Sequence, residues 1–337
     1  MRYFGILAAT AAAATAALAV AACSSTGGND DVDVSLADLN FVHGLFCPPE
    51  TDRCRLSDRV DLLLEFIEGS GCPDVVALQE IWPPTVAEIE VKLPGTCPFT
   101  YQVVLGERLT NVDDEMVLSR YPVTEIEQRD LLGGFRRVLF TRIDHPTGTL
   151  DVFSTHLAAG VDGGSTPCGP VCPAECVAAG AQTIRDCQAV QMAEFIEAKH
   201  DVPGLAFATG DFNAPPGSFV YEQFAGRGWI DTYLAAGNPE CNPATGIGCT
   251  SGREDEGLDE LESPALNETS RIDFAFLIPP EDGADCEPEL LPADGIGPGT
   301  QLFAEVPNPF AEPCGPLPEA ICWPSDHIGT QVAIQCD

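Results

Sequence analysis

The sequence predicts a single α/β domain, with β-sheets packed between helices, carried behind an N-terminal export segment. Three observations lead there. Short apolar runs alternate with amphipathic stretches along the chain, without an internal repeat. The 337 residues are 45% hydrophobic and 20% charged, which excludes wholesale disorder and leaves ample material for a core. No linker separates two complete cores, so the alternating elements belong to one layered domain.

The elements follow in order. Val34 to Val42 reads as the first strand. Leu56, Val60, Leu63, Leu64 and Ile67 fall on one helical face, with Ser57 as the expected N-cap. Asp74-Val75-Val76-Ala77-Leu78-Gln79 is a strand-length, largely apolar run, as a buried strand requires, and it stops at Glu80. Met116 to Ser119, Arg137 to Ile143 and Leu150 to Thr155 are further strands. Ala178 to Lys199 predicts one long helix, with Ile184, Met192, Phe195 and Ile196 turned inward. Leu205 to Thr209 is another buried strand that runs out at Asp211, and Arg271 to Ile278 and Ile328 to Ile334 close the set. Two Pro/Gly-rich acidic loops, roughly 237–269 and 279–325, lie between them.

The first residues carry a different signal. Arg2 is followed by an apolar, Ala-rich run from Tyr3 to Ala22, which ends in Val20-Ala21-Ala22-Cys23 and a polar Ser24-Ser25-Thr26-Gly27-Gly28 stretch. A positive start, an apolar stretch and small residues before a cut describe a secretory signal. The Cys at the cut resembles the lipobox of bacterial lipoproteins, which implies lipid modification at Cys23 and, with Ser24 behind it, an outer-membrane address; an uncleaved anchor or plain secretion is the alternative. The expected organisation is a signal peptide over 1–22, a flexible tether over 23–35 and a folded domain over 36–337. Cysteine usage points to export independently. Of 15 Cys, 14 remain beside Cys23, an even number that an oxidising compartment can pair. Cys47/Cys54, Cys72/Cys97 and Cys241/Cys249 are neighbours, while Cys168, Cys172, Cys176 and Cys187 form one set of four and Cys286, Cys314, Cys322 and Cys336 another. The Cys168-Cys172-Cys176 spacing lacks the C-x2-C knuckle of a zinc site.

Charge narrows the function. With 16 Lys+Arg against 52 Asp+Glu the formal charge is 16 − 52 = −36, which disfavours a protein that grips nucleic acid through a basic face. The polar residues at the strand ends matter more. Glu80 and Asp211 each follow a buried strand, His156 ends a third, and Asp326-His327 opens the last. Carboxylates and imidazoles gathered at strand termini are typical of an α/β active site. Carboxylates without a Cys or multiple-His cluster suit a hard cation such as Mg2+, and Mg2+ beside histidines suits phosphoryl chemistry.

Six motifs make this specific. Leu39-Asn40-Phe41, Leu78-Gln79-Glu80, Ser154-Thr155-His156-Leu157, Gly210-Asp211-Phe212-Asn213, Arg271-Ile272-Asp273-Phe274 and Ser325-Asp326-His327 occur in that order over about 36–334. Together they resemble the endonuclease/exonuclease/phosphatase superfamily, which includes pancreatic-type deoxyribonuclease and the sphingomyelinases. The resemblance implies a four-layer α/β sandwich of the deoxyribonuclease I-like kind, two mixed β-sheets face to face with helices outside. It implies Glu80 as the Mg2+ ligand, with Asn40 and Asp326 beside the metal and Mn2+ as a possible substitute. It implies Asp211 and Asn213 as the pair that activates water and orients phosphate, His156 and His327 as the catalytic histidines, and Asp273 as the acid that orients His327. The departure is at Asp113-Asp114-Glu115, where the family often has Asn; Asp114 or Glu115 is expected to orient His156. His43, His145 and His200 fit no motif and are expected to be ordinary polar residues.

The implied activity is Mg2+-assisted hydrolysis of a phosphate ester. Around the His156 motif the chain looks closest to the sphingomyelinase-like branch. Export and negative charge favour a lipid headgroup or a small organic phosphate, met by a monomer held to the membrane through its lipid anchor. An extracellular nuclease is the alternative, with Arg129, Arg136, Arg137 and Arg271 as candidate phosphate contacts. A noncatalytic surface protein on the same fold is the third reading.

Overall fold

The structure, a computed structural model, describes residues 32–42, 54–106, 114–252, 268–280, 288–290, 301–303 and 323–336. The export segment, Cys23, His43, Cys47 and most of the third cysteine set lie outside them.

Two mixed sheets form the centre. The first is built from β1 (Val34–Asn40), β2 (Val75–Ile81), β3 (Gln102–Leu105), β4 (Asp114–Ser119), β11 (Pro288–Leu290), β12 (Gln301–Phe303) and β13 (Gly329–Cys336), in the order β11-β13-β1-β2-β4-β3 with β12 also on β13. The second is built from β5 (Val123–Asp130), β6 (Arg137–His145), β7 (Gly148–His156), β8 (Gly204–Asp211), β9 (Ile230–Asp231) and β10 (Asp273–Ile278), in the order β5-β6-β7-β8-β10-β9. One pair in each sheet is parallel, β1 with β2 and β7 with β8.

Burial explains the layering. Leu36, Val75, Val117 and Val332 of the first sheet pack against Leu139, Val152, Phe207 and Leu277 of the second. The outer face of the first sheet is covered by α1 (Leu56–Gly69) and α2 (Pro83–Lys92), through Val60, Leu63, Ile67 and Ile89. The outer face of the second is covered by α4 (Ile184–Lys199) and α5 (Phe219–Ala225), through Met192, Phe195, Ile196, Val220 and Phe224. Each such side chain contributes about 1.5–3 kcal/mol on burial. The result is the four-layer sandwich expected of the sequence. Polar ties also cross the sheet interface: Gln79 Nε2 donates to Asp38 Oδ1 at 2.9 Å and to Ser154 Oγ at 3.1 Å.

Several local expectations need correction. The helix expected over 178–199 is two helices, α3 (Ala174–Ala179) and α4. Gly180 ends the first at φ 89°, and a capping box of Thr183 and Asp186 starts the second, so two strong terminal signals override continuous periodicity. Ser57 does not cap α1; Arg55 occupies that position in the left-handed region, with no side-chain cap. The strand expected from Arg271 begins at Asp273. Cys72–Cys97 and Cys241–Cys249 pair as expected, and the set of four resolves into Cys168–Cys172 and Cys176–Cys187. Cys54 is disulfide-bonded too, while its expected partner Cys47 falls outside the described residues. Among the described residues, no helix is long and apolar enough to cross a membrane.

Candidate active site

Strand register assembles the site. In the second sheet His156 lies opposite Asp211, and Asp211 opposite Asp273, so three of the expected residues form a row across β7, β8 and β10. In the first sheet Asn40 lies opposite Gln79, which brings Asn40 next to Glu80. The two rows meet where the strands of both sheets end. Backbone shape completes the aim. The β2–β4 ladder is irregular between Leu78 and Ile81, and there Glu80 takes φ 59°, a conformation that turns its carboxylate off the strand. Asn213, after β8, takes φ 50°. Gly210 precedes Asp211 because β7 approaches too closely for any side chain; a Cβ there would sit 1.9 Å from the Thr155 carbonyl oxygen.

Asp211 is the hub. Its Oδ1 accepts from the Asn213 backbone N–H at 2.7 Å. Its Oδ2 accepts from Asn40 Nδ2 at 3.0 Å and Asn213 Nδ2 at 3.2 Å, and faces His156 Nε2 at 3.4 Å and His327 Nε2 at 3.9 Å. Asn40 Nδ2 also donates to Glu80 Oε1 at 2.9 Å, so one amide joins both carboxylates. Phe212, between Asp211 and Asn213, points into the core against Phe224, Phe274 and Phe276 and anchors the turn.

The second histidine is set by a buried acid. His327 Nδ1 donates to Asp273, whose two oxygens lie at 3.1 and 3.0 Å. Burial pushes the Asp273 carboxyl up to about 6, against the pull of His327. Burial also opposes charge on His327, but the Asp273 carboxylate, with Asp211 and Asp326, outweighs it and holds the imidazole well above its ordinary value. The couple is therefore an imidazolium–carboxylate pair below that raised value, and the bare Nε2 that can take a proton belongs to the pH range above it.

Asp326 stands at the edge of this group. Ser325 Oγ donates to the Asn40 main-chain carbonyl at 2.5 Å, and Asp326 Oδ1 lies 3.2 Å from the same hydroxyl. Buried Arg59 of α1 fastens the same two segments, donating to Phe41 O at 2.8 Å and Pro324 O at 2.7 Å. Burial draws its guanidinium down to about 10, against the charges of Asp326 and Glu80, so it remains a cation.

Two clusters have the donors and spacing to hold a metal ion: Glu80, His156 and Asp211, and Asp211, Asp273 and His327, each with ligand atoms within 4.8 Å of one another. Asp326 belongs to neither. The donor chemistry fits a hard divalent cation at the first, since two carboxylates meet there and the buried Asn40 Oδ1 has no hydrogen-bond partner among the described residues. The second is already occupied by the Asp273–His327 couple.

Some expected contacts lie elsewhere. Asp114 accepts from Arg137 at 3.2 Å, both buried, and Arg136 Nη1 meets His156 Nδ1 at 2.6 Å. Arg271, also buried, pairs with Glu240 at 2.7 Å and Asp231 at 2.8 Å, and Arg129 stacks over the Phe195 ring. Arg137 and Arg271 are thus structural cations rather than phosphate contacts. His145 and His200 lie among acids of the lower sheet ends, 3.8 Å from Asp74 and 3.0 Å from Asp151. Sequence reasoning missed Thr250 and Ser251. Thr250 Oγ1 accepts from the backbone N–H groups of Ile272 and Asp273 at 3.0 and 3.2 Å, and Ser251 Oγ lies 3.4 Å from His327 Nε2. Their signal was the Cys241–Cys249 bridge just before them, which pins that end of an otherwise featureless loop.

A face-to-face sandwich with acids and two histidines at the strand ends defines a class, the metal-dependent phosphoesterases. Residues 39–327 match the family model of the Endonuclease/Exonuclease/phosphatase family, and the chain belongs to that family. Its enzymes hydrolyse phosphate esters with divalent metals. Among solved structures the chain resembles a Bacteroides thetaiotaomicron protein of the same family (16% identity, TM-score 0.60, covering 90% of this chain and 98% of that one). It also resembles the mannosyl-6-phosphatase of that organism (16%, 0.58, 89% and 99%) and truncated Caenorhabditis elegans TDP2 (17%, 0.56, 90% and 97%). No curated protein matches it.

Proposed function

We propose that this chain is a Mg2+-dependent phosphoesterase of the bacterial cell envelope, acting on a phospholipid headgroup or a small organic phosphate. The observation that carries the reading is the convergence on Asp211 of two histidines, two amides and, through Asn40, the Glu80 carboxylate. Glu80 and Asp211, with the Asn40 side-chain Oδ1, are the groups that would hold the cation. When bound, Mg2+ withdraws charge from a phosphoryl oxygen.

The side chains do the rest. Asp273 orients His327 so that Nε2 faces Asp211, and between these two groups a water can lose its proton as it attacks phosphorus. His156 also faces Asp211, placed to donate to a phosphoryl oxygen, while Asn213 Nδ2 ties Asp211 to the Leu157 carbonyl and holds the carboxylate in place. General base catalysis supplies about 10²–10⁴ in rate, whereas phosphate ester hydrolysis can demand accelerations of ~10¹⁵ or more. Electrostatics and positioning therefore carry most of the barrier reduction.

Substrate class rests on charge. The formal charge is −36, and two of the four arginines that a nuclease reading would use are committed to buried ion pairs. A phosphatase of a sugar phosphate among the structural relatives fits a small organic ester, although TDP2 has been solved with single-stranded DNA product. The test is a panel of sphingomyelin, choline phospholipids, sugar phosphates, inositol phosphates and DNA, each with Mg2+ and with EDTA. Hydrolysis of a lipid or small ester that EDTA abolishes is expected; cleavage of DNA alone would overturn the substrate assignment. The location rests on the lipobox-like Val20-Ala21-Ala22-Cys23. Cys23→Ser should release the protein from membranes, and retention in the same fraction would refute lipid anchoring.

A further inference from the structure

The two histidines of the site are held by opposite chemistry. His327 presents Nδ1 to a carboxylate, which keeps a proton on that nitrogen. His156 presents Nδ1 to a guanidinium: Arg136 Nη1 lies 2.6 Å away. A guanidinium has five N–H donors and no acceptor, and it does not deprotonate. Nδ1 of His156 must therefore accept, and the ring proton must reside on Nε2, the atom that faces Asp211 Oδ2 at 3.4 Å. Glu80 Oε1, 3.7 Å from Nδ1, is beyond hydrogen-bond length.

Arg136 is not free to swing away. Its side chain is 8% exposed, and Asp162 accepts from its Nε at 3.1 Å and from Nη2. The loop that carries Asp162 leaves β7 straight after His156 and is itself tied down. Gly164 N–H donates to Ala159 O at 2.7 Å, Arg185 donates to Ala158 O at 3.2 Å, and Ala158 N–H donates to Gln188 Oε1 at 2.9 Å. The β6–β7 register, with Val138 opposite Thr155, brings the Arg136 end of β6 beside the His156 end of β7.

We infer that Arg136, anchored by Asp162, is a positioning residue that fixes His156 as an Nε2–H donor. Asp114, one of the two acids expected to orient His156, gives its Oδ1 to Arg137. The division of labour follows. His156 gives a hydrogen bond to an oxygen that gains charge, and His327 takes the proton from water. The catalytic part of this inference rests on the proposed phosphoesterase activity; the tautomer does not.

The test therefore has two readouts. In 15N-labelled, metal-free full chain, two-bond 1H–15N correlations assigned with His156→Gln should show His156 protonated at Nε2. Arg136→Met, which keeps length and removes every donor, should lose that fixed pattern, and Arg136→Lys should restore it in part. On a phosphate ester with Mg2+, Arg136→Met should lower kcat by about 10- to 100-fold, the range of one hydrogen bond to a charged group, with KM within about threefold. Asp162 is one-third exposed, and Asp162→Asn should fold and show a smaller loss of the same kind. His156 protonated at Nδ1 in the native chain would overturn the inference whether or not any ester is hydrolysed. A native-like His156 pattern in Arg136→Met would overturn it too, as would a loss confined to KM, which would make Arg136 a substrate contact.

Discussion

Asp273→Asn isolates the couple on which proton transfer depends. Asp273 is fully buried, and both its oxygens lie within 3.1 Å of His327 Nδ1, so the substitution changes one charge and one donor without opening a cavity. Two outcomes bracket the effect. If the new amide presents its oxygen to Nδ1, the imidazole keeps its tautomer but loses a charge-assisted hydrogen bond of about 1.5–3 kcal/mol, or ~10- to 150-fold in rate. If it presents its NH2, the ring proton moves to Nε2 and the base toward water disappears, with a loss approaching ~10⁴. A fall in kcat of about 10–10⁴ is expected on a chromogenic phosphodiester or monoester at saturating Mg2+. KM should hold, because a fully buried side chain cannot touch substrate. The charge readout is independent. Asp273 holds the His327 imidazole above its ordinary value, so the NMR titration midpoint of His327 should fall in the variant. A kcat loss below about threefold, or an unchanged midpoint, would refute the reasoning.

Two further predictions concern stability. Asp38 is fully buried between the sheets; burial, then the nearby Asp273 charge, raises its pKa well above the ordinary value. A raised carboxyl pKa means that the folded state holds a proton the unfolded state releases, so stability falls as pH climbs from the unfolded value near 4 through the folded one. Asp38→Asn should therefore raise the melting temperature at pH 8 and lose that advantage near pH 4; a variant less stable than wild type at both would contradict this. The Cys72–Cys97 bridge spans 25 residues, joining the end of α1 to the segment after α2. Loop-closure entropy gives it about 3.5 kcal/mol, so replacing both cysteines with Ala should lower the melting temperature by roughly 5–10 °C, and no change in a thermal melt would count against a formed bridge.

Much of the fold was legible because buried strands leave continuous apolar runs, and the runs ending at Glu80, His156 and Asp211 are such strands. β5 was missed for the opposite reason: Val-Thr-Glu-Ile-Glu-Gln-Arg-Asp is an exposed, largely polar edge strand with little apolar signal. The break between α3 and α4 was written in Gly180 and the Thr183–Asp186 box, but the apolar spacing across it looked continuous. In the site, motif order pointed to Glu80, Asp211, Asp273 and His327, and register then brought them together. The arginines were less legible. Arg136 and Arg137 are adjacent in sequence yet face different partners, His156 with Asp162 and Asp114, and only strand geometry separates a positioning residue from a structural one.

The central claim, a divalent cation held by oxygen ligands around Glu80, is tested most directly by titrating Mg2+ into the EDTA-stripped enzyme while ester hydrolysis is followed. Wild type should be inactive without metal and recover with Mg2+ or Mn2+. Glu80→Gln keeps the side chain's size and removes the charge a hard cation needs, so it should demand a higher Mg2+ concentration and turn over more slowly even when saturated. His145→Ala, on β6 beside Asp74, should titrate as wild type does. Activity that survives EDTA, or a Glu80→Gln curve that overlays the wild-type one, would contradict the account.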